Sequence, residues 1–198
     1  MAGDAACFCV GMERGCRRAR PLGAARGEVV QVAISSQFVT RYGFLLALLG
    51  FGVASFAAGI GGIVFRPGQW YQCLDKPSWR PPDWLFGPVW TFLYATIALA
   101  GWLVWQEAGF GDAVLPLSAY GTQLLLNAAW SPIFFGLHRI GWALVDMVLL
   151  WLSIIATIVL FYPIDAAAAA MLVPYLCWVS FALLLNRSVW RRNSAIPS

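Results

Sequence analysis

Few side chains in this 198-residue sequence are placed to do covalent chemistry. Asp146 is the one carboxylate set deep in an apolar run, and a single carboxylate cannot supply an acid and a base together. The only histidine, His138, stands beside Arg139 in a short turn. That excludes haem held by two histidines of one chain and suits a residue at a membrane surface. Cys7, Cys9, Cys16, Cys73 and Cys177 lack the paired spacing and companion histidines of a zinc site, so they read as unpaired thiols and no metal is expected. No Ser-His-Asp set, G-x-G-x-x-G turn or phosphate loop can be placed, and nothing beyond a small arginine-rich arm supports nucleic-acid binding. No catalytic residue stands out, and what is left is recognition by indoles.

Trp90 and Tyr94 lie four apart and share a helix face. Gln123, Asn127 and Trp130/Ser131 make a second stripe, Trp142, Asp146, Leu149 and Ser153 a third, and Tyr175, Trp178, Ala182 and Asn186 a fourth. Polar groups are costly in a bilayer and turn toward a bundle interior or a cavity. Four stripes that each set an aromatic ring beside a polar partner predict one enclosed cavity, and indole walls suit a large flat apolar ligand. Asp146 is expected to hydrogen-bond an Asn, Trp or Tyr neighbour or to stay protonated. Lys76 and Arg80, which flank the segment holding Trp79, would meet acidic substituents of the ligand at the membrane surface. A planar macrocycle with carboxylate arms, such as a porphyrin, fits this description; a sterol fits with less use for the cations. Trp70, Trp102, Trp105 and Trp190 fall near the ends of apolar runs and read as interfacial anchors.

Positioning such stripes takes membrane helices. The chain is 61% hydrophobic and 11% charged, with a mean hydropathy of +0.72, whereas a soluble domain carries about a quarter charged residues. Its apolar runs are long enough to cross roughly 30 Å of hydrocarbon as helices, and they lack the alternation of a membrane β-barrel. The fold expected is an all-α integral membrane protein, a five-transmembrane-helix bundle with spans at about 42–65, 88–105, 115–135, 141–161 and 166–190. Between the first two lies WYQCLDKPSWRPPDWLFGPVWTFLY (70–94), a Trp/Pro-rich lid loop stiffened by Pro77, Pro81, Pro82 and Pro88. Pairs of small residues four apart in the first span, Ser55/Gly59 and Ala58/Gly62 among them, predict close helix approach. Residues 1–37 form an Arg/Gly/Ala-rich arm, expected to be disordered and outside the 38–198 membrane domain. Lys76, Arg80, Arg139, Arg187, Arg191 and Arg192 put the lid and the C-terminus on the cytoplasmic side, although the five arginines of the arm oppose this.

With these residues in view, the chain resembles the TspO/MBR family, the tryptophan-rich sensory proteins related to the mitochondrial translocator protein. The resemblance covers about residues 42–193 and rests on WYxxLxKPSWRPPDWLFGPVWTFLY (70–94), QLLLNAAWSPIFFG (123–136), GWALVDM (141–147) and VPYLCWVSFALLLNRSVWRRN (173–193). It implies a five-helix bundle, often dimeric, that binds porphyrins and, in animal members, cholesterol. The ligand contacts it implies fall on Trp90, Asn127, Trp130, Trp142, Trp178, Ala182 and Leu185, beneath the lid and beside Trp79, Tyr94 and Asp146. Some bacterial members are linked to light-dependent breakdown of protoporphyrin, with two tryptophans implicated whose positions here are Trp90 and Trp178. Two departures matter. Ala128 replaces a Trp of some animal relatives, and Arg187 replaces the central Tyr of the sterol-recognition pattern, which weakens the case for a sterol. The expectation is a membrane receptor or sensor that binds tetrapyrroles such as protoporphyrin or haem, needs no cofactor, contacts membrane lipid and forms a homodimer. An enzyme of porphyrin photodegradation is the alternative. A bacterial envelope is the expected location, with the mitochondrial outer membrane as the second choice.

Overall fold

The structure is a computed structural model that describes residues 42–65 and 68–194. The arm expected over 1–37 lies outside the described residues. The regular elements among the described residues are all helical: α1 (Tyr42–Ala58), α2 (Ile60–Val64), α3 (Gln69–Cys73), α4 (Asp83–Asp112), α5 (Val114–Ser131), a π-helical turn (Pro132–Gly136), α6 (Ile140–Phe161), α7 (Ala166–Met171) and α8 (Val173–Asn193). Three stretches are long and apolar enough to cross a membrane: α4, α6 and the continuous run Ala166–Asn193 that α7 and α8 make.

The small residues of α1 and α2 do what their spacing predicts. Ser55 is buried and its hydroxyl lies 2.9 Å from that of Tyr120 on α5. A β-carbon on Gly59 would stand 2.5 Å from the Tyr94 ring of α4, and one on Gly61 would stand 3.1 Å from Ser131. Only hydrogen at these positions lets the first helices seat against α4 and α5.

α4 departs from expectation. It begins at Asp83, five residues before the predicted start at Pro88, because Pro82 in extended conformation serves as its N-cap and Asp83 puts a carboxylate at the positive helix end. Pro88 therefore sits inside the helix, and the Thr91 hydroxyl donates to the Gly87 carbonyl at 2.9 Å nearby. The stretch left between the predicted spans 88–105 and 115–135, which holds Glu107 and Asp112, is helical as well, kinked at Gly109, whose φ of 65° lies in the left-handed region.

Prolines also shape the other ends. Pro132 opens a π-helical turn closed by a bond from the Leu137 N–H to the Pro132 carbonyl at 2.8 Å, and His138 then reverses the chain with φ 56°. The predicted fifth span breaks at Leu172, just ahead of Pro174, which cannot donate a helical hydrogen bond. Asp165 caps α7 by accepting from the N–H groups of Ala167 and Ala168 at 2.7 and 3.1 Å. The buried centre is formed by Leu93, Ile97 and Val104 of α4, Leu150, Ile154 and Phe161 of α6, and Tyr175 and Val179 of α8.

Candidate functional site

α4 presents Phe86, Trp90 and Tyr94 four residues apart on one face. Opposite them, α5 brings Asn127 and α8 brings Tyr175 and Trp178. The Tyr94 hydroxyl donates to Asn127 Oδ1 at 2.8 Å, and Asn127 Nδ2 donates to the Tyr175 hydroxyl at 3.1 Å. One carboxamide thus ties α4, α5 and α8 together, and all three residues are buried. Trp90 stacks on Tyr94 with centroids 5.2 Å apart and meets Tyr175 edge-on at 6.2 Å. Trp178 sets its ring edge-on to Phe86 at 5.6 Å and lies 5.7 Å from Phe181, which in turn touches Trp79 at 5.7 Å. The indole N–H of Trp178 is buried with no hydrogen-bond acceptor among the described residues. An unmet donor of that kind costs free energy unless something else accepts from it.

The segment 68–82 packs against the π-helical turn, α6 and α8. Leu74 and Pro77 are buried, and Leu74 packs with Phe134, Ala143 and Val189. Asp75 is tied to Asn193 at the end of α8 through two hydrogen bonds of 3.0 Å, and its carboxylate faces Arg192 at 3.4 Å. Trp70 lies 4.2 Å from the His138 ring and 5.9 Å from Phe134. His138 is exposed, with its ring tilted 31° to that of Trp70. Trp190 packs against Gly141, and the Trp102 N–H donates to the Phe44 carbonyl at 3.3 Å.

Several expectations need correction. Lys76 and Arg80 do not stand free. The Lys76 ammonium lies 4.3 Å over the Tyr71 ring and reaches the Gln72 carbonyl at 3.4 Å, while Arg80 pairs with Asp83 at 3.1 Å. Burial pushes the Tyr71 hydroxyl above its ordinary pKa, helped by the nearby Asp83 and opposed by Arg80. Trp142 faces outward, 63% exposed, and Leu149 is exposed with it. The reason is that α6 buries Ala143, Met147, Leu150, Ile154, Thr157 and Phe161, a four-and-three repeat that leaves Trp142 on the flank. Ala143 can lie fully buried against Val189 because it is small; a tryptophan there could not.

Asp146 sits between the two faces. Its residue is buried, yet it lines an open groove of about 540 Å³ with Trp142, Arg139, Ile133 and Leu149, and no described residue partners its Oδ2. Of the two expectations for it, a hydrogen bond with an Asn, Trp or Tyr is not found among the described residues. Trp130 packs against both the central cluster and the neighbouring one, stacked on Phe134 at 5.0 Å, and its N–H has no partner among the described residues. Ala182 and Leu185 are half-buried, and Ala182 packs against the central cluster.

The stripes expected to line one slot therefore divide. Trp90, Tyr94, Asn127, Tyr175 and Trp178 come together with Ala182; Trp79 joins through Phe181; Trp130 stands beside them; Trp142 and Asp146 open outward. Sequence reasoning missed Phe86 and Phe181, although each lies at helical spacing from a chosen tryptophan. It also missed the Asp75–Asn193 pair, 118 residues apart, for which the sequence carries no local signal.

Residues 44–191 match the TspO/MBR family. The chain is 46% identical over 142 residues to protein CrtK of Rhodobacter capsulatus, covering 71% of this chain and 89% of that protein. It is 50% identical over 127 residues to the human translocator protein, covering 63% and 75%. It is 42% identical over 147 residues to the tryptophan-rich protein TspO of Chlorobaculum tepidum, covering 69% and 89%.

Proposed function

The chain belongs to the TspO/MBR family, and from that premise we propose that it is a membrane receptor or sensor that takes up a tetrapyrrole, such as protoporphyrin or haem, among Trp90, Trp178 and their neighbours. The observation that carries this reading is the buried, unmet N–H of Trp178 between Phe86 and Phe181. A flat macrocycle supplies both an aromatic face for those rings and polar atoms for that donor. In this reading α1 and α2 make one crossing and α5 with the π turn another, so that five spans enclose the site and segment 68–82 is its lid. Leu185, Ala182, Asn127 and Trp130 belong to its surroundings. The lid and C-terminus face the cytoplasm of a bacterium, and two copies associate in the envelope. A sterol is the weaker ligand, given Arg187.

The test is saturable quenching of intrinsic fluorescence by protoporphyrin in detergent. The Trp130→Ala plus Trp178→Ala variant should lose most of it; an unaltered curve sinks the proposal.

One observation favours a second reading. Trp90 lies against both Tyr94 and Tyr175, so three oxidisable rings adjoin one another. Under light, a bound porphyrin and dioxygen would then react in a defined way. Illumination should yield one product in the wild type and general bleaching in Trp90→Phe plus Trp178→Phe. Bleaching in both returns the protein to binding alone.

A further inference from the structure

The last turns of α8 carry a groove of about 750 Å³ that borders the proposed tetrapyrrole site at Phe181 and Trp79 and whose arginine end that reading does not use. Arg187 and Arg191, four apart on one helix face, form its outer end, with the Ser188 hydroxyl beside them. Neither guanidinium has an acidic partner among the described residues, whereas neighbouring Arg192 is engaged by Asp75 at 3.4 Å. Toward the middle of the helix the lining turns apolar, through Leu184 and Phe181, and Trp79 stands as a side wall. Leu184 and Trp79 are exposed at 58% and 49%, so no part of the chain's own described fold covers this floor.

From Phe181 to Arg191 the helix rises about 15 Å. Its apolar part belongs to a stretch long and apolar enough to cross a membrane, and its cationic part is the end of that stretch. We infer that this groove holds one anionic phospholipid, with its phosphate on Arg187 and Arg191 and the start of an acyl chain along Leu184 and Phe181.

The chemistry is specific at both ends. Guanidinium groups form paired, charge-assisted hydrogen bonds to phosphate oxygens. The order of the lining, apolar within and cationic at the rim, is that of an amphiphile lying along a transmembrane helix. An acidic peptide would match the arginines but would leave a floor of Leu184 and Phe181 facing lipid without need of it. A zwitterionic lipid would bring its own cation against two unpaired arginines. Trp79 gives the site a reporter. It lies in the segment fastened to α8 through Asp75, so an occupied groove has one wall from each of the two elements.

The experiment uses the full chain in mixed micelles titrated with phosphatidylglycerol whose acyl chains carry bromine, which quenches tryptophan on contact. Quenching should saturate, be reversed by unbrominated phosphatidylglycerol, and fall in Trp79→Phe. In the double variant Arg187→Gln, Arg191→Gln the half-saturation should rise about thirtyfold, the loss expected for two arginines that each meet a charged headgroup at the membrane surface. Arg139→Gln, which removes a cation elsewhere, should leave the curve in place, and equal melting temperatures will show that each variant is folded. Three results overturn the inference: the same curve with brominated phosphatidylcholine, no change in the double variant, or displacement of the lipid by millimolar inorganic phosphate or by protoporphyrin. The last would assign the arginines to tetrapyrrole carboxylates, whereas direct titration with protoporphyrin in the absence of added lipid tests the tetrapyrrole reading by itself.

Discussion

The side chain of Asn193 holds the backbone of Asp75 from both sides: its Oδ1 accepts from the Asp75 N–H and its Nδ2 donates to the Asp75 carbonyl, each at 3.0 Å. The same Nδ2 donates to the Val189 carbonyl at 2.8 Å, so the carboxamide is fixed on α8 before it grips the loop. Asn193→Ala should release the segment. Three hydrogen bonds go, each worth about 1 kcal/mol net. Hydrogen exchange across residues 69–80 should speed markedly while exchange in α6 stays as it was. Equal protection in both proteins would show that Leu74 and Pro77 hold the segment alone.

Gly59 and Gly50 make a matched pair. A β-carbon at Gly59 meets the Tyr94 ring at 2.5 and 2.9 Å, and that ring is held by Trp90 and Asn127. Gly59→Ala should lower stability by about 1–3 kcal/mol, seen as a fall of several degrees in the melting temperature in detergent. Gly50 has nothing within 4 Å of such a carbon, so Gly50→Ala should leave the melt unchanged or raise it slightly.

The Tyr94–Asn127–Tyr175 relay gives graded losses. Tyr94→Phe removes the donor to Asn127 Oδ1, and Tyr175→Phe removes the acceptor for Nδ2. Hydrogen bonds between membrane helices contribute about 0.6 kcal/mol on average and up to about 1.7. Each variant should therefore fold and melt only slightly lower. Asn127→Leu, which removes both links, should cost more than either alone; a melt no lower than the single variants would show that the relay does not join the helices.

How much of this was legible beforehand differs by residue. The apolar runs and the small-residue spacing at Ser55 and Gly59 could be read because period and size are local properties. The start of α4 could not, because Pro88 looks like a first-turn proline and only the chain geometry shows Pro82 in that capping role. Trp142 misled for a different reason. Following its polar companion Asp146 picked a stripe displaced from the one that Ala143, Met147 and Leu150 bury. In the sequence the α8 arginines serve as a mark of sidedness and, at Arg187, as a departure from a sterol pattern, whereas the four-residue spacing of Arg187 and Arg191 also puts them on one face.

Trp142 offers a check on that correction. Being 63% exposed, it should tolerate Trp142→Ala with a change within about 0.5 kcal/mol, or less than about 2 °C in the melting temperature. A drop as large as that of Gly59→Ala would put its ring in the interior after all.

The most direct trial of the tetrapyrrole account is an equilibrium titration of protoporphyrin, followed by its main absorption band, on the wild type and on Trp178→Phe. Phenylalanine keeps an aromatic ring against Phe86 and Phe181 and removes the buried N–H together with the indole's second ring. The account predicts saturable one-site binding that weakens about tenfold in the variant, as loss of one buried hydrogen bond requires. Identical curves for the two proteins would contradict it.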